Sequence, residues 1–210
     1  IYFVYSPDGS LSPAHRYTLS RLRDMKMKLF VIIASDSPQQ ISDEVKSAAD
    51  ALYWKGLGGY DFSAYGIALR AVAEHSPDAT VYMQNDSVFG PFYDVRPFIQ
   101  HSPWDLLGFT ASSLLENHIQ SYAFVMRELS AARVAALGNV LPTKFAYSIN
   151  FDVIECQEVR LAHVASQTMS VGACWYSVHE QVPDPVLSRP AELVEAGLPY
   201  LKKSVLGGKH

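Results

Sequence analysis

The sequence predicts an α/β fold, a layered αβα sandwich with a mostly parallel central sheet. Short apolar runs alternate with helix-like segments through the first half of the chain, which is typical of strands joined by helical crossovers. Several of these runs end in polar or glycine-containing turns. Hydrophobic residues make up 49% of the 210 residues, enough for the core of one domain. We therefore expect a single domain over residues 1–206, with a frayed tail at 207–210.

Strand-like apolar runs occur in the first half of the chain at residues 1–5, 29–34, 51–54 and 80–83. Helical segments are predicted between them, at 13–25, 38–50 and 62–74. In the second half, strands are predicted at 104–110, 122–126 and 171–178, and helices at 127–137 and 152–167. Residues 181–190 hold three prolines and are predicted to be the loosest segment, before a C-terminal helical tail. Because parallel strands end at one edge of a sheet, the residues after strands one, two and four should converge on one crevice.

Composition excludes several classes of function. The formal net charge of −4 gives no overall attraction to nucleic acid. Cys156 and Cys174 are too few for a disulfide scaffold and lack the spacing of a zinc site. No apolar run reaches the roughly 18 residues of a membrane span. We expect a cytoplasmic protein, at most peripheral at the inner face of the membrane. The first residue, Ile1, leaves open whether the chain is a whole protein or one module of a larger one.

Asn85-Asp86-Ser87 follows the fourth strand-like run and is the first candidate site. A carboxylate at a strand end can coordinate Mg²⁺ or Mn²⁺ together with the phosphate oxygens of a ligand. The alternative is that Asp86 only caps the turn into Gly90-Pro91, because Asx turns are common. The residues themselves leave both interpretations open.

The glycine cluster before the third predicted helix is the second candidate. Gly58-Gly59-Tyr60-Asp61 lacks both GxGxxG and a Walker lysine, so it is a poor phosphate motif. Glycines would let the backbone approach a nucleotide or sugar, whose hydroxyls Asp61 would bind. The alternative is a loop in which Asp61 or Ser63 caps the helix.

His118-Ile-Gln120-Ser-Tyr122 brings polar groups to the start of an apolar run. The sequence lacks a GxSxG elbow, so a serine hydrolase is disfavoured. His118 and Gln120 could bind the hydroxyls of a sugar; the alternative is that they only lie at the solvent edge without a functional role. Glu155 and Glu158 lie near a predicted helix start, where a carboxylate could deprotonate an acceptor hydroxyl. Surface glutamates are more often simply solvated.

Four segments, in this order, resemble the rhamnan synthesis protein F family: Gly59-Tyr-Asp-Phe-Ser-Ala-Tyr65, Asn85-Asp-Ser-Val-Phe-Gly-Pro91, Trp104-Asp-Leu-Leu-Gly-Phe-Thr110 and His118-Ile-Gln-Ser-Tyr122. The opening residues 4–9, the stretch 158–161 and the tail 197–203 are also similar. The resemblance therefore spans nearly the whole chain.

The resemblance implies a GT-A-like (Rossmann-like) glycosyltransferase that moves rhamnose or another deoxysugar from a nucleotide-diphosphate donor onto a bacterial cell-surface polysaccharide such as an O-antigen or capsule. Residues 1–100 would bind the nucleotide sugar, and residues 101–206 would bind the glycan or lipid-linked acceptor and carry out catalysis. Glu158 would be the base of an inverting displacement, with Asp61 beside it, and Asp86 would meet a divalent cation or the diphosphate. The implied donor-binding residues are Tyr5, Ser6, Ser35, Gly59, Tyr60, Asp61, Tyr65, Asn85, Asp86 and Ser87. The implied acceptor-binding residues are His118, Gln120 and Tyr122.

The sequence also departs from the family pattern. The approach to the glycine motif reads Trp54-Lys-Gly-Leu-Gly58, and no second carboxylate stands beside Asp86. The charge of a diphosphate could instead be neutralised by one of three cations, Lys55, Arg127 or Arg160. Two other functions stay open: a non-catalytic carbohydrate-binding or scaffold module, and a glycan hydrolase with paired carboxylates.

Overall fold

Ten strands make up the β-structure of the computed structural model, which describes residues 1–179 and 181–207. They are β1 (Tyr2–Tyr5), β2 (Phe30–Ala34), β3 (Ala51–Lys55), β4 (Val81–Asn85), β5 (Val88–Phe89), β6 (Leu106–Ser112), β7 (His118–Ile119), β8 (Ala123–Met126), β9 (Val171–Trp175) and β10 (Leu201–Lys202). Residues 208–210, most of the predicted frayed tail, lie outside the described residues.

Nine α-helical segments accompany these strands in the described part of the chain. They are α1 (Pro13–Asp24), α2 (Asp43–Ala48), α3 (Asp61–His75), α4 (Arg96–His101), α5 (Ala131–Ala136), α6 (Asn150–Val153), α7 (Val159–Ala165), α8 (Pro185–Ser188) and α9 (Pro190–Glu195). A π-helical stretch, Ile154–Glu158, joins α6 to α7, and short 3₁₀ turns cover Pro38–Gln40 and Lys203–Leu206.

The central sheet has the strand order β3-β2-β1-β4-β8-β6-β7, with β9 also paired to β6. The pairs β3/β2, β2/β1, β1/β4 and β6/β9 are parallel. Only β7 and β8 run against the other strands of this sheet. The prediction of a mixed α/β fold with a mostly parallel, Rossmann-like sheet is confirmed. Strands β5 and β10 form a separate antiparallel pair.

Alternation of side chains along each strand builds a core on both faces of the sheet. Phe3, Ile32 and Met83 belong to the core that includes α3 and α7. Tyr2, Val4 and their neighbours Val31 and Ile33 belong to the core that includes α1. Apolar runs without strict alternation in polarity are expected when both faces of a parallel sheet are covered.

Several predicted boundaries are wrong, for local reasons. The helix predicted at 127–137 is reduced to α5, because Glu128 adopts a φ of 45° and ends β8 in a turn. The helix predicted at 152–167 starts earlier and contains the π-helical stretch. Residues 181–190 are not wholly irregular: Asp184 accepts the N–H groups of Val186 and Leu187 and so caps α8. The predicted helical tail ends in β10.

The helices of residues 1–179 and 181–207 are short or carry polar residues. None of these helices is both long enough and apolar enough to cross a bilayer.

Candidate functional site

A cleft of about 640 Å³ opens at the carboxyl ends of β1 and β4. The chain order of the sheet reverses here, because β2 and β3 lie on one side of β1 and β4 lies on the other. Crevices at such switch points are where open α/β sheets bind ligands. The polar and charged groups of the lining come from six parts of the chain: Tyr5; Tyr60 and Asp61; Asn85, Asp86 and Ser87; Ser121 and Tyr122; Ser148, Asn150 and Glu158; and Lys202.

Asn85 connects β4 to the start of α3. Its Nδ2 donates to Asp61 Oδ2 over 2.6 Å. Its Oδ1 accepts the backbone N–H of Ser87 over 3.0 Å and the Ser87 hydroxyl over 2.6 Å. The amide is thereby fixed in orientation, because its donor and acceptor ends have different partners. Asn85 thus holds the Asp61 carboxylate at the mouth of the cleft.

Asp61, the first residue of α3, is an unusually basic carboxylate. Burial raises its pKa to about 6 from the ordinary 3.8; the negative charges of Glu158 and Asp86 add to the rise, while the Asn85 hydrogen bond opposes it. A carboxylate with a raised pKa in a cleft is a candidate for a functional role. At neutral pH it is mostly ionised, yet it still accepts a proton readily.

Asp86 is clamped by two donors on one oxygen. The backbone N–H of Tyr5 donates to Oδ2 over 2.9 Å, and His15 Nε2 lies 3.1 Å from the same atom. His15 Nδ1 accepts the backbone N–H of Ser12 over 3.3 Å. That contact requires the Nδ1 of His15 to be unprotonated, so Nε2 carries the hydrogen and donates to Asp86. The described hydrogen bonds of Asp86 all fall on Oδ2, which leaves Oδ1 for a ligand.

The glycine loop, residues 56–59, approaches the segment before α6 very closely. Gly59 has a φ of 75°, and a Cβ added there would lie 2.4 Å from the Cβ of Ala146. Only glycine fits both the left-handed backbone and this close contact. Lys55 Nζ donates to the carbonyls of Gly56 over 3.2 Å and Gly58 over 2.5 Å. The lysine therefore holds the loop in shape.

Glu158 closes the π-helical stretch and lines the cleft with its carboxylate. Ser121 Oγ donates to its Oε2 over 2.5 Å. His118 Nε2 lies 3.7 Å from its Oε1, an ion-pair distance. Burial alone would raise the pKa of Glu158, but His118, the charge of Lys202 and the Ser121 hydroxyl outweigh burial and lower it. Single π-helical turns within helices are frequent at functional sites.

His118 lies between two acceptors, the carbonyl of Glu116 and the carboxylate of Glu158. Nδ1 lies 2.8 Å from the carbonyl oxygen of Glu116, which can only accept, so Nδ1 must donate. Nε2 faces the Glu158 carboxylate. Burial lowers the pKa of His118, yet Glu158 and the Glu116 carbonyl more than compensate and raise it above 6.5. These two neighbours thus favour the charged form of His118, which lies beside Glu158.

Lys202 is a cleft residue that sequence reasoning missed. It belongs to β10, which pairs with β5 and so places Lys202 opposite Val88. Its Nζ lies 5.6 Å from the centre of the Tyr122 ring, within the range of a cation–π contact. A strand of two residues is too short to show a periodic pattern in the sequence. Its partner β5 also lies more than 100 residues earlier in the chain. Ser121, Ser148 and Asn150 were also missed.

Some predicted donor residues lie outside the cleft. Ser6 is buried, and its hydroxyl donates to the Ser10 carbonyl over 2.5 Å. Ser35 is fully buried, and its hydroxyl donates to the Ser37 carbonyl over 3.0 Å. Tyr65 is fully buried in the core, packed edge-on against Phe124. These three side chains support the turns and the core, and the structure does not bring them to the cleft.

Of the predicted acceptor residues, only Tyr122 lines the cleft. Gln120 is buried and bonded through Nε2 to Asp184 Oδ2 over 3.0 Å and through Oε1 to the Thr110 hydroxyl over 2.7 Å. His118 lines a separate pocket of about 350 Å³. His118 belongs to β7, whereas Gln120 and Tyr122 lie in the connection to β8, so strand alternation does not place the three side chains on one face.

The three cations expected beside a diphosphate also lie elsewhere. Lys55 is engaged with the glycine-loop carbonyls. Arg127 follows β8, and its guanidinium group donates to the Ile99 carbonyl. Arg160 is exposed on α7 and does not line the cleft. Lys202 is the cation that the structure places there.

A divalent cation fits this site only together with a phosphate ligand. Residues 1–179 and 181–207 contain no group of three His, Cys, Asp or Glu side chains that could hold a metal ion. Asp86 offers one carboxylate, with Oδ1 outside its described hydrogen bonds. Mg²⁺ commonly binds through one or two carboxylates plus substrate phosphates and retains several waters. Asp86 suits that mode of binding.

Comparisons with known proteins give only distant structural similarity. HddC from Yersinia pseudotuberculosis matches over 83% of this chain and 89% of its own, with 12% sequence identity and a TM-score of 0.44. The same protein complexed with GMP-PN matches over 84% of this chain and 89% of its own, with 12% identity and a TM-score of 0.43. No family model and no curated protein matches the chain.

Proposed function

We propose that the chain is a GT-A-type glycosyltransferase that transfers a sugar from a nucleotide-diphosphate donor to a hydroxyl of a glycan or lipid-linked glycan. One observation carries the proposal: Asp61 and Glu158, two carboxylates with opposite pKa shifts, line one cleft beside a glycine loop at the switch point of the sheet. Pairs of titratable groups whose environments separate their pKa values mark acid–base roles. The resemblance to the rhamnan synthesis protein F family supports rhamnose or another deoxysugar as the sugar, and a cell-surface polysaccharide as the product.

The donor would lie along the glycine loop. Gly59 allows its backbone close approach, and Asp61 is held by Asn85 where it can accept hydrogen bonds from ribose or sugar hydroxyls. The diphosphate would lie beside Asp86 and Lys202, which both line the cleft. A divalent cation bound there with the donor would neutralise charge on the leaving diphosphate. Lys202 supplies a positive charge of the protein itself for the same purpose.

The reaction is an inverting displacement. The acceptor oxygen forms a bond to the anomeric carbon, and the bond between that carbon and the phosphate oxygen breaks. Its electron pair leaves with the nucleoside diphosphate, and the acceptor proton passes to Glu158. The lowered pKa keeps Glu158 ionised at neutral pH, and each carboxylate oxygen keeps a lone pair beyond its contact with Ser121 or His118.

The first experiment is calorimetric titration with uridine, thymidine and guanosine diphosphates and their sugar conjugates, with and without Mg²⁺ or Mn²⁺. Saturable binding is expected to weaken about tenfold in Asp61→Asn, which removes a charge-assisted hydrogen bond. Asp61→Asn is also expected to keep its fold. Burial disfavours the ionised form of Asp61, and the substitution replaces that carboxylate with a neutral amide. Asp86→Ala should weaken binding of the diphosphate and remove any effect of metal.

Turnover tests the base. Glu158→Gln should bind donor normally and lose turnover by about 10²- to 10⁴-fold. Glu155→Gln, an exposed glutamate of the same π-helical stretch, is the matched control and should behave like the wild type. The acid limb of the pH profile should fall below pH 4.5 if Glu158 is the base, and near pH 6 if Asp61 is.

Other outcomes contradict the proposal. A folded protein that binds no nucleotide would be a non-catalytic carbohydrate-binding or scaffold module. Release of reducing sugar from a glycan without any nucleotide donor would indicate a glycoside hydrolase that uses the same two carboxylates.

A further inference from the structure

A groove of about 720 Å³ adjoins the cleft at Asp86. One wall is the N-terminal end of α1, with Ser12 and His15. The other wall is the end of β10 and the turn after it, with Lys202, Lys203 and Ser204. We call it the lysine groove. Ser12, His15, Lys203 and Ser204 line this groove and not the cleft.

The lysine groove concentrates positive charge. Lys202 and Lys203 are both half-buried, and neither forms a salt bridge within the described residues. Asp86 is the acidic residue in the lining, and its Oδ2 is already bonded to His15 and to the backbone of Tyr5. Burial lowers the pKa of Lys203, although the charge of Asp86 opposes the shift. A half-buried ammonium group without a carboxylate partner gains stability from a bound anion.

The end of α1 adds to this potential. The helix has 12 residues, and its N-terminus points to the groove with Ser12 as its cap. Pro13 has no N–H group and the His15 N–H is bonded to the Ser12 hydroxyl, so the helix end contributes mainly its partial positive charge, which favours an oxyanion. The hydroxyls of Ser12, Ser87 and Ser204 add polar groups to the lining. The lysines and the helix end therefore act on the same space.

We propose that the lysine groove is an oxyanion site that takes a phosphate or diphosphate group. Lysine ammonium groups bind phosphate oxygens as mobile point charges, and the groove volume exceeds what one phosphate needs. The groove shares Asp86 and Lys202 with the position proposed for the donor diphosphate, whereas Lys203 lines only the groove and distinguishes the two sites.

Calorimetric titration with inorganic pyrophosphate, without metal, tests the proposal. Wild-type protein should bind one equivalent saturably, and Lys203→Met should bind about tenfold more weakly, as expected for loss of one charged hydrogen bond. Lys203→Arg should retain most of the affinity because it keeps the charge. Lys28→Met is the matched control: Lys28 precedes β2 at the opposite edge of the sheet and is 92% exposed in its side chain. Its binding should equal that of the wild type.

Saturable binding that is equal in wild type, Lys203→Met and Lys28→Met would overturn the proposal, as would no binding at all. Thermal unfolding of each variant shows whether the fold is kept. Asp61→Asn should bind pyrophosphate like the wild type. An incorrect proposal for the lysine groove and an incorrect proposal for the donor cleft therefore give different results. Competition between pyrophosphate and a nucleoside diphosphate would show that the groove binds the diphosphate of the donor. Simultaneous binding would identify a separate phosphorylated ligand, such as the acceptor, and both results sustain the oxyanion site.

Discussion

Asp61 and Glu158 show how the same chemical group is tuned in two directions within one cleft. Burial dominates at Asp61, and its one side-chain donor, Asn85, is neutral. Glu158 is buried as well, but it faces two cations and a hydroxyl. A neutral donor stabilises a carboxylate less than a positive charge at short range does. The environment of each residue therefore decides which carboxylate stays ionised as the pH falls.

His118→Gln is expected to expose the contribution of the ion pair to stability. The folded pKa of Glu158 is lowered, so its contribution is present above 4.5 and is lost as the pH falls through the folded value. The folded pKa of His118 is raised, so its contribution is present below 6.5 and is lost as the pH rises through the folded value. The variant should be less stable than the wild type mainly between pH 4.5 and 6.5, by about 1 kcal/mol.

Urea unfolding at a series of pH values measures this difference. His163→Gln, an exposed histidine on α7, is the control and should show no such window. In activity assays, His118→Gln should move the acid limb to higher pH, because Glu158 loses the charge that lowers its pKa. A stability loss that is independent of pH would assign His118 a packing role only.

The sequence predicts residues on strand ends better than it predicts the direction of their side chains. Tyr5 and Asn85 are the last residues of their strands, Asp86 follows one, and all three line the cleft. Ser6 and Ser35 also follow strands, but each closes its own turn through a local hydrogen bond. Short polar side chains compete for nearby backbone groups, and this competition is invisible in a pattern of residue types.

At the scale of elements, the glycine loop is the most constrained part of the site. Gly59→Ala would place a Cβ 2.4 Å from the Cβ of Ala146 and force a φ of 75° on an alanine. We expect a loss of about 1–3 kcal/mol in the free energy of unfolding. The shifted loop should also weaken donor binding. Denaturant unfolding and nucleotide titration measure the two effects separately.

Gly56→Ala is the matched control, because a Cβ at Gly56 meets no atom within 4 Å. It should change neither stability nor binding appreciably. The double variant Gly59→Ala with Ala146→Gly removes the close contact but keeps the strained φ, so it should recover only part of the loss. Full donor binding by Gly59→Ala would show that the loop does not need this geometry.

Long, apolar elements were predictable, and short ones were not. The strand runs at 1–5, 29–34 and 80–83 and the helix at 62–74 carry enough periodic residues to fix their type. Strands β7 and β10 have two residues each: β7 forms by pairing with the adjacent strand β6, and β10 forms by pairing with β5, more than 100 residues away. Tertiary context decides such elements. Lys202 was missed for this reason.

The whole molecule joins its two halves through shared cores. Phe3 and Met83 of the first half pack in one core with Phe124 and Leu161 of the second. On the other face, Tyr200 near the end of the chain is buried against Phe109 and Tyr122. Its hydroxyl lies 2.5 Å from the hydroxyl of Tyr82. The segment that brings Lys202 to the cleft is therefore anchored in the core.

These shared cores predict one cooperative unfolding transition for the whole chain. Trp54 belongs to β3 in the first half and Trp175 to β9 in the second, so variants that retain only Trp54 or only Trp175 of the three tryptophans report on each half. Both should unfold at the same urea concentration. Tyr200→Phe removes a hydrogen bond that joins the halves. It should lower the free energy of unfolding by about 1 kcal/mol and shift both midpoints together to lower urea concentration. Separate midpoints would show that residues 1–100 and 101–206 fold as independent units, and then Tyr200→Phe should shift the Trp175 transition alone.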